Sequence, residues 1–135
     1  MLRALDRTPP GAPGPRPDAA PVTLPGGPAS ALICARCGHT ISDLAARIDI
    51  AGQHTHTGVN PGGHVHHFGC FSRAPGVRPQ GSPEHTWSWF PGRTWQLVTC
   101  RGCDVHLGWC FAGSDGAPFW GLLTAAVIPA TDWRA

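Results

Sequence analysis

Between residues 31 and 130 the apolar residues come in short runs, and Gly or Pro interrupts them every few positions. That punctuation disfavours long helices. Short alternating or β-rich runs at 47–56, 64–71, 94–99, 106–111 and 119–127 are each predicted as a strand. Asn60-Pro61-Gly62-Gly63 is a strong turn signal and joins the first two runs as a hairpin. Residues 42–47 open on an N-cap-like Ser42 and predict one helical turn, unless tertiary context draws them into a strand. The pattern is mainly antiparallel β, and nothing repeats within it except a Cys-x-x-Cys pair.

Composition narrows this to one domain with flanking segments. The chain has 135 residues. Residues 1–30 hold eight of the 15 prolines and only scattered apolar side chains, so they read as a disordered Pro/Gly/Ala-rich tail. The domain is expected at 31–130, with a short C-terminal tail at 131–135. About 100 residues give a thin core, which a structural metal would reinforce.

The net charge of +2 is small, and the arginines that supply all ten basic residues are dispersed. Nucleic acid is therefore not expected as a partner. No run of 18 apolar residues exists to span a membrane, and the N-terminus lacks the apolar core of a secretory signal. A cytoplasmic monomer is expected, in a compartment that keeps thiols reduced and favours metal over disulfides.

Cys34-Ala-Arg-Cys37 and Cys100-Arg-Gly-Cys103 form two complete knuckles. Two residues between cysteines let one tight turn give two thiolates to one ion, and four sulfurs suit tetrahedral zinc. One structural zinc on Cys34, Cys37, Cys100 and Cys103 is expected, against the alternative of two local disulfides. Four protein ligands leave no open position, so this metal is not expected to be catalytic. Arg36 and Arg101 flank the thiolates and offer them positive charge.

Cys70 and Cys110 remain, and both read as buried and inert, since no base or cation is fixed beside either by spacing. His54, His56, His64, His66 and His67 bracket the Asn60 turn. In a hairpin His54 and His56 lie on one strand face, as do His64 and His66. A second metal between them is conceivable, but a polar strand face is the simpler reading.

Four of the six tryptophans fall within 85–109, around the second knuckle. Phe90-Pro91-Gly92 makes a turn between Trp89 and Trp95, and the Cys100 knuckle brings Trp109 back beside them. Three indoles, with Phe111 as a floor, can form the walls of a pocket for a cation or a flat neutral ring. Only Glu84 is near in sequence to serve a cation, which favours a neutral ligand. A Trp-rich core beneath the knuckle would account for the same residues equally well.

V-N-P-G-G-H-V-H (59–66), S-W-F-P-G-R-T-W (88–95), C-R-G-C (100–103), H-L-G-W-C-F (106–111) and F-W-G-L (119–122) resemble the CULT domain. That is the thalidomide-binding domain of cereblon, also found as small single-domain bacterial proteins. The resemblance covers roughly 31–129, in matching order and spacing. It implies a β-tent fold, two antiparallel sheets meeting at a zinc site of two Cys-x-x-Cys pairs.

It also implies a non-enzymatic module that binds a glutarimide or related cyclic imide in a cage of Trp89, Trp95 and Trp109. Phe111 would lie behind the cage and Asn60 at its rim. Backbone groups of Trp87 and Trp89, with Ser88 between them, would clamp the imide edge. Thalidomide-like compounds, cyclised C-terminal Asn or Gln, hydantoins and uridine all offer such an edge. Trp87 stands where cereblon has His, and Arg93 replaces an aromatic, which is expected to change the rim. The chain is too short for cereblon's Lon-like and ubiquitin-ligase-docking parts, so degradation draws no support.

A second class of function is a zinc-bearing methionine sulfoxide reductase of the B type, with Cys110 or Cys70 as nucleophile. The catalytic stretch of that family is not visible around either thiol. A zinc-ribbon nucleic-acid binder would need a basic stripe that the arginines do not supply.

Overall fold

The computed structural model describes residues 30–113 and 116–133; most of the predicted N-terminal tail lies outside them. The described residues are mainly β, in two antiparallel sheets. β1 (Ala31–Cys34), β2 (Thr40–Asp43) and β9 (Val127–Pro129) form the small sheet, in the order β2-β1-β9. The large sheet contains β3 (Thr55–Val59), β4 (Val65–Phe71), β5 (Val77–Glu84), β6 (Thr94–Cys100), β7 (His106–Gly113) and β8 (Gly116–Leu123). Its order is β3-β4-β8-β7-β6-β5.

Three of the predicted runs need little change, and the Asn60 turn does join β3 to β4. The Asn60 amide oxygen accepts from the His64 N–H at 2.9 Å, an Asx-type contact that closes the turn. The run 47–56 is not one strand. Ile50 and Gln53 exchange backbone hydrogen bonds of 2.9 and 3.2 Å across Ala51-Gly52. Those two residues have φ of 53° and 87°, the positive pair that a type I′ turn requires, so only the end of the run enters β3.

The run 119–127 also divides. β8 ends at Leu123, a turn closes through Ala126 N–H to Leu123 C=O at 3.0 Å, and the chain crosses to the small sheet as β9. In 42–47 the helical turn is a 3-10 turn, Leu44–Ala46, and its cap is Asp43, whose carboxylate accepts from Ala45 N–H at 2.7 Å. Ser42 belongs to β2 and donates instead to the Arg73 carbonyl at 2.7 Å. Beyond residue 130, Ala130–Asp132 forms a second 3-10 turn.

Both faces of the large sheet are buried. On one face Val98, Leu107 and Leu122 pack against Leu32, Ile41 and Val127 of the small sheet, with Cys34, Cys100 and Cys103 among them. On the other face Phe68, Trp95, Trp109, Phe111 and Phe119 form a separate aromatic cluster. The alternation of strand side chains makes this possible: along β6, Trp95 and Leu97 join the aromatic face, whereas Val98 and Cys100 join the aliphatic one.

The aromatic face is covered by the loop between β5 and β6, residues 85–93. From the β5 side of the sheet it reaches β3 at the opposite edge, where the His56 ring meets the Phe90 ring edge-on at 5.3 Å. The two edges of the sheet therefore converge on one loop.

Candidate functional site

The metal-ligand candidates sit where the two sheets meet. Cys34 ends β1 and Cys100 ends β6, while Cys37 and Cys103 lie in the turns that follow. The two turns are built alike. The Cys34 N–H donates to His39 C=O at 2.8 Å, and the Gly38 N–H to Cys34 C=O at 2.9 Å. In the second knuckle Cys100 N–H donates to Val105 C=O at 2.9 Å, and Asp104 N–H to Cys100 C=O at 2.8 Å. Gly38 and Asp104 occupy the same left-handed position, with φ of 80° and 65°. Gly takes it without steric cost and Asp is among the side chains that tolerate it.

All four sulfurs lie within 4.8 Å of one another. Cys34 and Cys103 are 3.8 Å apart and Cys37 and Cys100 3.6 Å. A tetrahedron with metal–sulfur bonds of about 2.3 Å separates its sulfurs by about 3.8 Å, so the donor set fits a four-coordinate metal ion. The neighbouring thiols, Cys100 foremost, favour the Cys34 thiolate and bring it down to about 5 against the effect of burial. Cys100, which supports that thiolate, is raised above the ordinary thiol range, and burial first of all raises Cys103 to about 11. The Cys34 thiolate thus forms readily, whereas Cys100 and Cys103 need a cation among the sulfurs to lose their protons. Arg101 does not face the sulfurs alone; its Nε–H donates to the Val77 carbonyl at 3.1 Å and ties the knuckle to β5.

Neither remaining thiol is activated. Burial first, and the Asp49 charge second, push Cys70 up to about 12. Burial also raises Cys110, only partly opposed by Arg93. The histidines spread out rather than gather. His54 Nδ1 lies 3.1 Å from the Ile48 carbonyl, and His56 Nε2 is 3.0 Å from that of Ile50. Among the described residues the four cysteines are the one group whose ligand atoms come together as a metal site would require.

Trp87, Trp89, Trp95, Trp109 and Phe111 line one cleft with about 150 Å³ of empty space, none of it wide enough for a water molecule. Strand register brings the walls together: β6 and β7 pair Trp95 with Phe111 and Leu97 with Trp109, all on the same face. Trp109 is fully buried and Trp95 nearly so. The Trp109 ring meets that of Trp89 edge-on at 4.9 Å, and Phe68 stacks on Trp89 at 5.4 Å. The Trp95 indole N–H donates to Thr86 C=O at 2.8 Å, whereas the buried Trp109 N–H has no partner among the described residues. Sequence left a choice between pocket and Trp-rich core; here the tryptophans of the core are the walls of the cleft.

The loop itself is shaped by several local bonds. Ser88 Oγ donates to Phe90 C=O at 3.2 Å, and Arg93 N–H donates to the same carbonyl at 3.0 Å. Trp87 is exposed and held at φ 66°, a conformation costly for a bulky side chain. The backbone N–H and C=O of Trp87 and the N–H of Trp89 have no hydrogen-bond partner among the described residues. Asn60 lies buried at the hairpin turn with its amide oxygen already engaged by His64. Arg93 turns away from the rim: its guanidinium donates to Ala117 C=O at 3.1 Å and lies 5.0 Å from the centre of the Phe119 ring.

Gly58, Phe68 and Phe90 also shape the cleft, and the sequence reading did not single them out. A Cβ on Gly58 would stand 2.4 Å from the Trp89 indole, so only Gly admits that ring against β3. A lone Gly inside a strand run is the signal that marks such a close approach.

No family model matches the chain. It is 40% identical over 75 residues to "Protein cereblon" of Danio rerio and 39% identical over 75 residues to that of Gallus gallus, each match taking in 53% of this chain. It is 33% identical over 102 residues, 67% of this chain, to "Protein cereblon" of Drosophila persimilis. These matches cover 17%, 17% and 16% of the relatives, so the chain spans about a sixth of the curated proteins it matches. Cereblon similarity, two antiparallel sheets and a four-cysteine cluster at their junction together identify this chain as carrying a CULT-like domain of the cereblon kind.

Proposed function

We propose that this domain is a non-enzymatic receptor module that takes a cyclic imide into the cleft of Trp89, Trp95 and Trp109. The observation that carries the reading is the convergence of three indoles and Phe111 beside a backbone segment with unused donors and acceptors. An imide presents acceptor, donor and acceptor along one edge, and its ring is small, flat and neutral. The Trp87 and Trp89 backbone can answer that edge, with Ser88 holding the loop, while the indoles enclose the ring. The space in the cleft is now divided among narrow gaps, so entry requires the rings to part. Of the three indoles, Trp89 is the one on a loop and the least buried, which makes it the wall that moves.

The ligand class includes glutarimides, thalidomide-like compounds, C-terminal cyclic imides of peptides and uridine. Asn60 serves from the rim by fixing the hairpin that receives Trp89. In the same reading the metal is a single zinc held by Cys34, Cys37, Cys100 and Cys103. It would supply a rigid four-thiolate cross-link between the sheets and no reactive position. Sulfoxide reduction has no activated thiol to begin from.

Titration of the metal-loaded protein with glutarimide, followed by tryptophan fluorescence, tests the proposal. Saturable quenching that Trp89→Ala abolishes is the expected result, with the far-ultraviolet circular dichroism of the variant unchanged. An unchanged emission spectrum across the titration, with no heat in calorimetry, overturns it. Trp89 is a better probe than Trp109, because truncating a fully buried Trp costs about 3–5 kcal/mol of stability.

A further inference from the structure

A second concavity lies at the junction of the two sheets, beside the first knuckle and outside the aromatic cleft. Its volume is about 540 Å³, within the range of about 300–1,000 Å³ that small-molecule sites occupy. Val65, Val105, Leu123 and Ala126 supply an apolar wall, Arg36 supplies a positive charge, and His66 and His67 supply imidazoles. No Asp or Glu lines it. The Arg36 guanidinium is exposed and makes no hydrogen bond or ion pair with another described residue. His67 uses Nδ1 on the Thr57 hydroxyl at 2.9 Å, which leaves Nε2 as its remaining polar atom.

The groove is held from both sheets. Ala35 N–H donates to Ala126 C=O at 2.9 Å, and Thr124 N–H donates to His67 C=O at 3.0 Å. These two bonds tie the backbone of its lining together across the sheets. An apolar wall with a guanidinium and no carboxylate selects an anion that carries a hydrocarbon body.

From this we infer that the groove is a second ligand site, for small carboxylates with a short aliphatic or aromatic body. The carboxylate pairs with Arg36, whose planar guanidinium matches both carboxylate oxygens, and the hydrocarbon lies on Val65, Val105 and Leu123. His67 lends a second donor through Nε2. This site is independent of the imide reading, because it shares none of the three cleft indoles.

The test is a nuclear magnetic resonance titration of the full metal-loaded chain with hexanoate and, separately, with neutral hexanamide. Hexanoate is expected to shift the amide signals of Val65, Val105 and Ala126 and to bind at least roughly tenfold more tightly than hexanamide. Arg36→Gln is expected to remove that preference with metal content unchanged. Val65→Asp, at an exposed position on the opposite wall, is expected to remove hexanoate binding altogether. Equal affinity for acid and amide, or full hexanoate binding by both variants, overturns the site. A short peptide with a C-terminal leucine that outcompetes hexanoate would overturn the free small molecule as occupant and assign the groove to chain termini.

Discussion

The indole N–H of Trp89 donates to the carbonyl of Val59 at 3.2 Å, joining the loop that follows one edge strand to the strand at the other edge. That bond, and the bare face of Gly58 beside it, set where the Trp89 wall of the cleft rests.

Gly58→Ala is the direct probe of this relationship. Its methyl group would need space now held by the Trp89 ring, 2.4 Å away. Overpacking of this kind costs about 1–3 kcal/mol, and the displaced indole no longer reaches Val59. Thermal melting is expected to show that loss, and glutarimide affinity is expected to fall with it. Val59→Ala keeps the carbonyl and should leave both measurements near wild type.

Metal removal should unfold the domain rather than loosen one turn. The four thiolates join β1 to β6, and binding to such a site contributes on the order of 10 kcal/mol to folding. Chelation by excess EDTA is expected to abolish the dispersed amide spectrum, and native mass spectrometry to find one zinc per chain before treatment. Cys100→Ser should purify with less metal and a lower melting temperature. A folded, metal-free Cys100→Ser protein would contradict this.

Cys70 makes stability depend on alkaline pH. The native thiol keeps its proton to about 12, whereas the unfolded thiol ionises near 9.0. Between those values the native state binds more protons than the unfolded state, so stability falls as pH rises through the window. The slope is at most about 1.4 kcal/mol per pH unit, and below the window the effect vanishes. Denaturant titrations at about pH 8 and about pH 10.5 should show a smaller alkaline loss in Cys70→Ala than in wild type.

Arg93 pins the loop from its far end. Its backbone N–H bonds Phe90, and its guanidinium reaches Ala117 and the Phe119 ring. Arg93→Gln is expected to cost about 1 kcal/mol in stability while weakening glutarimide binding by a larger factor, since loop order is lost before the core is. Comparing melting temperature with calorimetric affinity separates the two effects. Arg93→Lys, which keeps the charge but not the fork of donors, should recover only part of the affinity.

The parts of this fold that could be read in advance are those whose signal is local. Runs 64–71, 94–99 and 106–111 carry alternating large side chains and became β4, β6 and β7 with small shifts at their ends. The knuckles declared themselves by spacing, and their sulfurs do converge. β5 did not: Val-Arg-Pro-Gln-Gly-Ser-Pro-Glu looks like a loop, and it is a strand because an edge position beside β6 tolerates proline. β1 and β2, four residues each, are too short for periodicity and exist through pairing with distant partners.

For the cleft, Trp89, Trp95 and Trp109 were visible as a set, but their burial was not. Whether an indole is wall or core depends on what lies behind it, here Phe68 from β4. The partners of His54 and His56 were hidden for the same reason. Their rings reach carbonyls of the chain leading into the Ala51-Gly52 turn, which folds it back toward β3 and is a feature two residues long.

The convergence of both sheet edges on one loop has a consequence for self-association. An unpaired strand edge is a template on which another chain can add a strand. β5 carries Pro79 and Pro83, which cannot donate to such a neighbour, and β3 lends its Val59 carbonyl to Trp89. The loop that forms the cleft is thus also the guard of the β3 edge. Swinging Trp89 outward exposes that edge, so variants that hold the cleft open should be the ones that aggregate.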